Sequence, residues 1–122
     1  MARRVRLPPM PEREVLRQCL DLLRLLRVPH WRANTGALAA SGADGRRRFV
    51  RFGPVGQSDI LGVLPPAGRL LCVEVKRKGK RPTEAQSAFL ANVEAAGGLA
   101  IVVHDALELR RALAAAGAPG LR

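Results

Sequence analysis

Apolar positions along this chain switch spacing several times, and each switch marks an element. From Pro11 onward Val15, Leu16, Cys19, Leu20, Leu22, Leu23 and Leu26 recur at helical spacing, with Arg13, Arg17 and Arg24 on the other side. This predicts an amphipathic helix that ends before Pro29. "VPHWRAN" reads as a short strand, and "TGALAASGADG" as a loop whose Asp44-Gly45 turn signal precedes the strand "RRRFVRFG". "SDILGVLP" and "GRLLCVEVKR" predict two more strands joined by the turn "PPAG". After the basic loop "KRKGKRP", residues 83–96 return to helical period through Phe89, Leu90 and Val93 until Gly97-Gly98 stops them. "LAIVVHD" is a continuous apolar run, as a strand buried on both faces requires, and residues 105–116 predict a last helix.

The order helix, strands, helix, strand, helix is that of an α/β protein: a mixed central sheet with helices on its faces. With 122 residues the simplest division is a basic N-terminal arm at 1–10, one domain at 11–116 and a C-terminal tail at 117–122. No apolar run approaches the roughly 18 uninterrupted residues of a membrane span. The N-terminus "MARRVRLPPMPERE" lacks the apolar block of a secretory signal, so a cytoplasmic location is expected. Cys19 and Cys72, both among apolar neighbours, read as buried thiols of a reducing compartment.

Charge changes the picture more than composition does. The chain carries 21 Lys and Arg against 10 Asp and Glu, a net +11, as expected of a partner with many phosphates. Arg46, Arg47 and Arg48 form one cluster, and Arg77, Lys78 and Lys80 belong to another. No basic helix with a bulky apolar face accompanies them, which favours nucleic acid over an anionic membrane. Arg32 and Asn34 are further candidates for phosphate or site contacts. With only Trp31 and three phenylalanines available for stacking and no base-reading helix in view, recognition by shape is expected over direct readout of sequence.

Against this basic background the acids in two apolar strands stand out. Glu74 and Lys76 are two apart on a strand and share a face, while Val73 and Val75 point into a core. Asp59 opens the preceding strand, and antiparallel pairing through "PPAG" brings it beside Glu74 and Lys76. Two close carboxylates among apolar strands repel each other and resist burial. A hard divalent cation, magnesium or manganese, relieves both penalties, and the backbone carbonyl of Val75 offers a further oxygen. Such an ion polarises a phosphodiester and acidifies a bound water, and a lysine orients that water or neutralises developing charge. The plainer alternative is a surface ion-pair ladder, but Leu70 and Cys72 share the carboxylate's face and point to burial.

The stretches "GQSDILGVL" and "GRLLCVEVKRKGKRPTEAQSAFLANVEAAGGLAIVVHDALEL" closely resemble the VRR-NUC domain, a branch of the PD-(D/E)XK nuclease superfamily. The resemblance spans roughly residues 12–110. It runs in order through Gly56-x-x-Asp59, Glu74-Val75-Lys76, Gln86 and Gly97-Gly98, and "WRANTG" at 31–36 is similar to the family's Arg-x-Asn-x-Gly segment. It implies a restriction-endonuclease-like αβββαβ core and metal-dependent hydrolysis of DNA. By the same carry-over Asp59 and Glu74 would ligate metal, Lys76 would be the catalytic lysine and Gln86 would support the site. Short stand-alone members resemble Holliday junction resolvases and act as homodimers on branched DNA.

The family also places a glutamate on the first helix, where Glu12 and Glu14 compete. At about 100° per residue Glu12 falls with Leu16, Cys19 and Leu23, and Glu14 nearer Asp21, which favours Glu12. Either acid equally suits a first turn. Thr83-x-x-Gln86 is also a capping box, so Gln86 has a structural task as well. His30 and His104 read as structural. The expected activity is a metal-dependent endonuclease; the alternatives are a DNA-binding module on a nuclease fold that does not cut, and a ribosomal-type RNA-associated protein.

Overall fold

Pro11 has no N–H to leave unsatisfied, and its carbonyl accepts from the N–H groups of Glu14 and Val15 at 2.9 and 3.1 Å to start helix α1, Glu12–Leu25. Val15, Cys19 and Leu23, four apart, form the fully buried stripe of that helix. The computed structural model describes residues 6–33, 37–41, 43–51 and 53–121; the side chains of 37–41 and 47–51 lie outside the description. After α1 come β1 (His30–Arg32), β2 (Ala37–Ser41), β3 (Arg47–Arg51), β4 (Ile60–Leu64), β5 (Arg69–Val75), α2 (Glu84–Ala95), β6 (Leu99–Val103) and α3 (Ala106–Ala115).

β1, β4, β5 and β6 form one mixed sheet in that order, antiparallel except for the parallel pair β5 and β6, which α2 connects. Taken without the β2–β3 ribbon and α3, the elements run α, three strands, α, strand, the expected αβββαβ order. The ribbon corrects the sequence reading of "TGALAASGADG" as a loop: Ala37–Ser41 is a strand paired with β3 from Ala37↔Arg51 to Ser41↔Arg47. Alanine is a poor strand former, so the segment has no periodic signal of its own. Its pairing is imposed by the reversal at Asp44-Gly45, where Gly45 has φ 73°. β1 is also shorter than "VPHWRAN", because Pro29 lacks the N–H a ladder needs and uses only its carbonyl, which accepts from Val63 at 2.9 Å.

Alternation along β5 divides the two faces of the sheet. Leu71, Val73 and Val75 pack with Ile60, Leu64 and Val103 against Val15, Cys19 and Leu23 of α1 and Leu109 and Leu113 of α3. Cys72 and Glu74 project to the opposite face, where α2 packs on β5 and β6. Leu70 shares that face yet is 42% exposed, so the burial expected of the whole row holds only at its Cys72–Glu74 end. Residues 117–122, expected as a tail, contribute Ala118 to the core, with Leu121 packed against it. Both cysteines are free and buried. Burial pushes the Cys19 thiol up to about 12 and raises that of Cys72, which keeps both unreactive. No described helix is long and apolar enough to cross a membrane.

The start of α2 matters for the site because it abuts the loop that carries Asp59. Thr83 Oγ1 accepts from Gln86 N at 3.2 Å, and Gln86 Oε1 accepts from Thr83 N at 2.8 Å, a complete capping box. Thr83→Ala removes one of the two bonds and is expected to lower unfolding free energy by about 1 kcal/mol, read as a shift of the urea midpoint at unchanged slope.

Candidate active site

Asp59 sits one residue before β4, where its own carbonyl accepts from Ala33 N at 2.8 Å. The β4–β5 register pairs Ile60 with Val73, so one further step sets Asp59 opposite Glu74. Its Oδ2 accepts from the Val75 N–H at 2.8 Å, which fixes the carboxylate against the end of β5. Glu74 is 1% exposed, and its Oε1 lies 3.7 Å from Lys76 Nζ. Its Oε2 is buried and has no hydrogen-bond partner.

That arrangement disfavours a charged Glu74. Burial raises its carboxyl to about 8. The Asp59 carboxylate adds to the shift by repelling the anion and accepting a hydrogen bond from the protonated form; Lys76 opposes it, and Glu12 adds a smaller push upward. Asp59 and Lys76, the neighbours that strand spacing predicted, and more weakly Glu12 on α1 thus act on the Glu74 carboxyl.

Glu12 is the helix carboxylate that reaches this place. A cleft of about 190 Å³ is lined by Glu12, Arg13, Leu16, Arg32, Asp59 and Val75. Glu14 is engaged elsewhere: its Oε2 accepts from Arg17 Nε at 3.1 Å and its Oε1 pairs with Arg17 Nη2, which holds its carboxyl below the usual range. Gln86 lies in a second cleft, about 220 Å³, with Gly56, Gln57 and Thr83, and its carboxamide oxygen is engaged by the capping box. The structure thus brings Asp59, Glu74 and Lys76 together, sets Glu12 in a cleft with Asp59, and leaves Gln86 at the head of α2.

Of the basic candidates, Arg32 opens into the cleft with Asp59, and Arg77, Lys78 and Lys80 are exposed just past β5. Arg46 is exposed, its backbone N–H bound to Asp44 Oδ1 at 3.1 Å. Asn34 and the side chains of Arg47 and Arg48 lie outside the described residues. Neither histidine is idle. His30 Nδ1 is 2.7 Å from Val28 O. His104 reaches Glu108 Oε2 at 3.1 Å through Nδ1 and Lys80 O at 3.3 Å through Nε2, pinning the basic loop to α3. The i,i+4 spacing of His104 and Glu108 is the signal the sequence reading passed over. Leu7–Met10 of the N-terminal arm line a cleft with Lys78, His104 and Asp105.

Among the described residues no group of three or more His, Cys, Asp or Glu side chains is placed to hold a metal ion. An ion here would rest on the Asp59–Glu74 pair and the backbone at Val75. The pair suits a hard cation: an orphaned buried carboxylate oxygen and a carboxyl raised to about 8 are the two penalties such an ion removes. Compared with family models, curated proteins and solved structures, the chain finds no match.

Proposed function

We propose that the protein is a divalent-metal-dependent DNA endonuclease of the VRR-NUC type, selective for branched DNA and active as a homodimer. The observation that carries this reading is the buried Glu74 carboxylate, with an unpartnered oxygen, held between Asp59 and Lys76 in a chain of net charge +11. A fold of this size gains little in stability from such a group, because an apolar side chain in its place would avoid the desolvation of a buried carboxyl group with one oxygen left unsatisfied.

Asp59, Glu74 and the Val75 backbone would hold magnesium or manganese, with Glu12 acting from across the cleft. When bound, the ion supplies Lewis-acid polarisation of the phosphodiester and a more acidic water. The chain's own groups do the rest. The Val75 N–H orients Asp59, Arg32 and Arg13 at the cleft mouth draw in the phosphate, and the Lys76 ammonium offsets the negative charge that grows as water adds to phosphorus and the P–O bond breaks. Two copies related by a two-fold axis would present two such sites to the two strands of a junction.

The test is cleavage of a labelled four-way junction, a flap and a matched linear duplex, each with magnesium, manganese or EDTA. Metal-dependent cutting of the branched substrates is expected. Glu12→Gln is expected to lose about tenfold or more in metal-dependent rate, whereas Glu14→Gln, whose partner is Arg17, leaves it unchanged. The second reading, a DNA-binding module that does not cut, draws on the lack of a three-residue ligand cluster among the described residues. Binding of all three DNAs with no cleavage under either metal would establish it.

A further inference from the structure

Trp31, the chain's single tryptophan, is 50% exposed although it lies within a paired strand. The register sets it opposite Leu61 of β4, and Leu61 opposite Cys72 of β5. Directly opposed residues share a face and residues two apart repeat it, so Trp31 stands on the face of Cys72 and Glu74. The bond from Ala33 N to Asp59 O ties the end of β1 to the carboxylate loop. Strand spacings then put the Trp31 backbone roughly 8 Å from that of Asp59, about the span of one nucleotide. The next residue, Arg32, alternates to the other face and opens into the cleft that Asp59 lines. Asp59, one step beyond Ile60 and opposite Glu74, falls on the face of Trp31, so this edge strand offers an open aromatic ring on the face of the carboxylate pair and a cation at the cleft on the other.

The core does not need this indole. It is absent from the buried cluster, and half of a large apolar ring stays in water. We propose that Trp31 is a stacking platform for an unpaired base next to a phosphate at the Asp59–Glu74 pair, and that it makes the protein prefer branched or flapped DNA to continuous duplex. This rests on the endonuclease reading above. Bases inside a duplex are already stacked on their neighbours and have no free face to give, whereas a base at a flap or branch does. Every base has such a face, so the preference is for structure and carries no sequence. Charge selects the same occupant: with exposed Arg32 beside it in a chain of +11, the ring suits an aromatic group carried on an anionic backbone.

Because Trp31 is the only tryptophan, its emission reports on this position alone. The experiment titrates the protein in EDTA with an end-labelled flap and with a matched linear duplex, following DNA anisotropy and tryptophan emission together. The flap is expected to quench the emission and the duplex to leave it nearly unchanged. Trp31→Ala is expected to bind the flap about tenfold to a hundredfold more weakly with duplex affinity unaltered, and Trp31→Phe to recover most of the loss. Flap binding with no change in emission overturns the stacking role alone and leaves the endonuclease reading standing. Equal weakening toward flap and duplex in Trp31→Ala overturns it as well. Failure of the wild-type protein to bind any of the DNAs removes both readings.

Discussion

Replacing Glu74 by Gln is expected to raise the melting temperature of the metal-free protein at pH 9 by about 5 °C or more while reducing metal-dependent cleavage at least about a hundredfold. The two effects have one cause. In the folded chain the Glu74 carboxyl is raised to about 8, first by burial and then by Asp59, whereas the unfolded chain titrates it near 4.5. Below pH 4.5 both states hold the proton, and Glu74 does not oppose folding. Between 4.5 and 8 only the folded state holds it, so stability falls as pH rises through this window and levels off above it. Gln has no such titration, and its advantage over Glu opens across the same pH range.

Magnesium or manganese should act in the opposite sense. An ion that binds the folded state alone raises the wild-type melting temperature at pH 8 to 9 and has little to hold in Glu74→Gln. Thermal melts of both proteins from pH 4.5 to 9, with EDTA and with either metal, check every part of this. A wild-type melting temperature that does not fall toward pH 9, or a Glu74→Gln protein less stable than wild type there, would mean that Lys76 already balances the buried charge. The pair would then be a structural ion pair, and the argument for a metal would lose its base.

What could be read from the chain without coordinates was whatever depended on short-range periodicity. The buried stripe of α1 at Val15, Cys19 and Leu23, the alternation of Leu71, Val73 and Val75, and the shared face of Glu74 and Lys76 each follow from neighbours within one element. Asp59 opposite Glu74 followed as well, because the turn between β4 and β5 is short enough to set their register. Features that depend on distant pairing were not legible. β2 has alanines at three of its five positions and is a strand only because β3 lies beside it. The face that Trp31 occupies is decided by pairing with β4, 30 positions away at Leu61, and the orphaned Oε2 of Glu74 depends on the tertiary packing that buries the end of β5. Glu12 and Glu14 are a middle case: the helical wheel leaned to Glu12, and the bond between Glu14 and Arg17 shows where the other acid goes.

Gly56→Ala is expected to destabilise the protein by about 3 kcal/mol or more, a large part of the stability of a domain this size. Gly56 holds φ 79°, a left-handed backbone that L side chains rarely adopt. A Cβ placed there would lie 2.3 Å from Ala85 O, 2.5 Å from Ala85 C and 2.9 Å from Gln86 N. All three are backbone atoms of the first turn of α2, held by the capping box at Thr83, so no side chain can swing aside to make room. The loop must instead lift away from the helix. Asp59 is three residues further along that loop, so the same movement draws its carboxylate off the Val75 N–H and out of line with Glu74. Gly68→Ala is the control: φ there is 78°, but no atom lies within 4 Å of the added carbon, and only the dihedral strain applies. Urea denaturation of the two variants should therefore separate by the cost of the clash, with Gly56→Ala alone losing cleavage at temperatures where both remain folded. Equal midpoints would show that the loop and α2 are not packed this closely, and the route by which the first turn of α2 positions Asp59 would have to be abandoned.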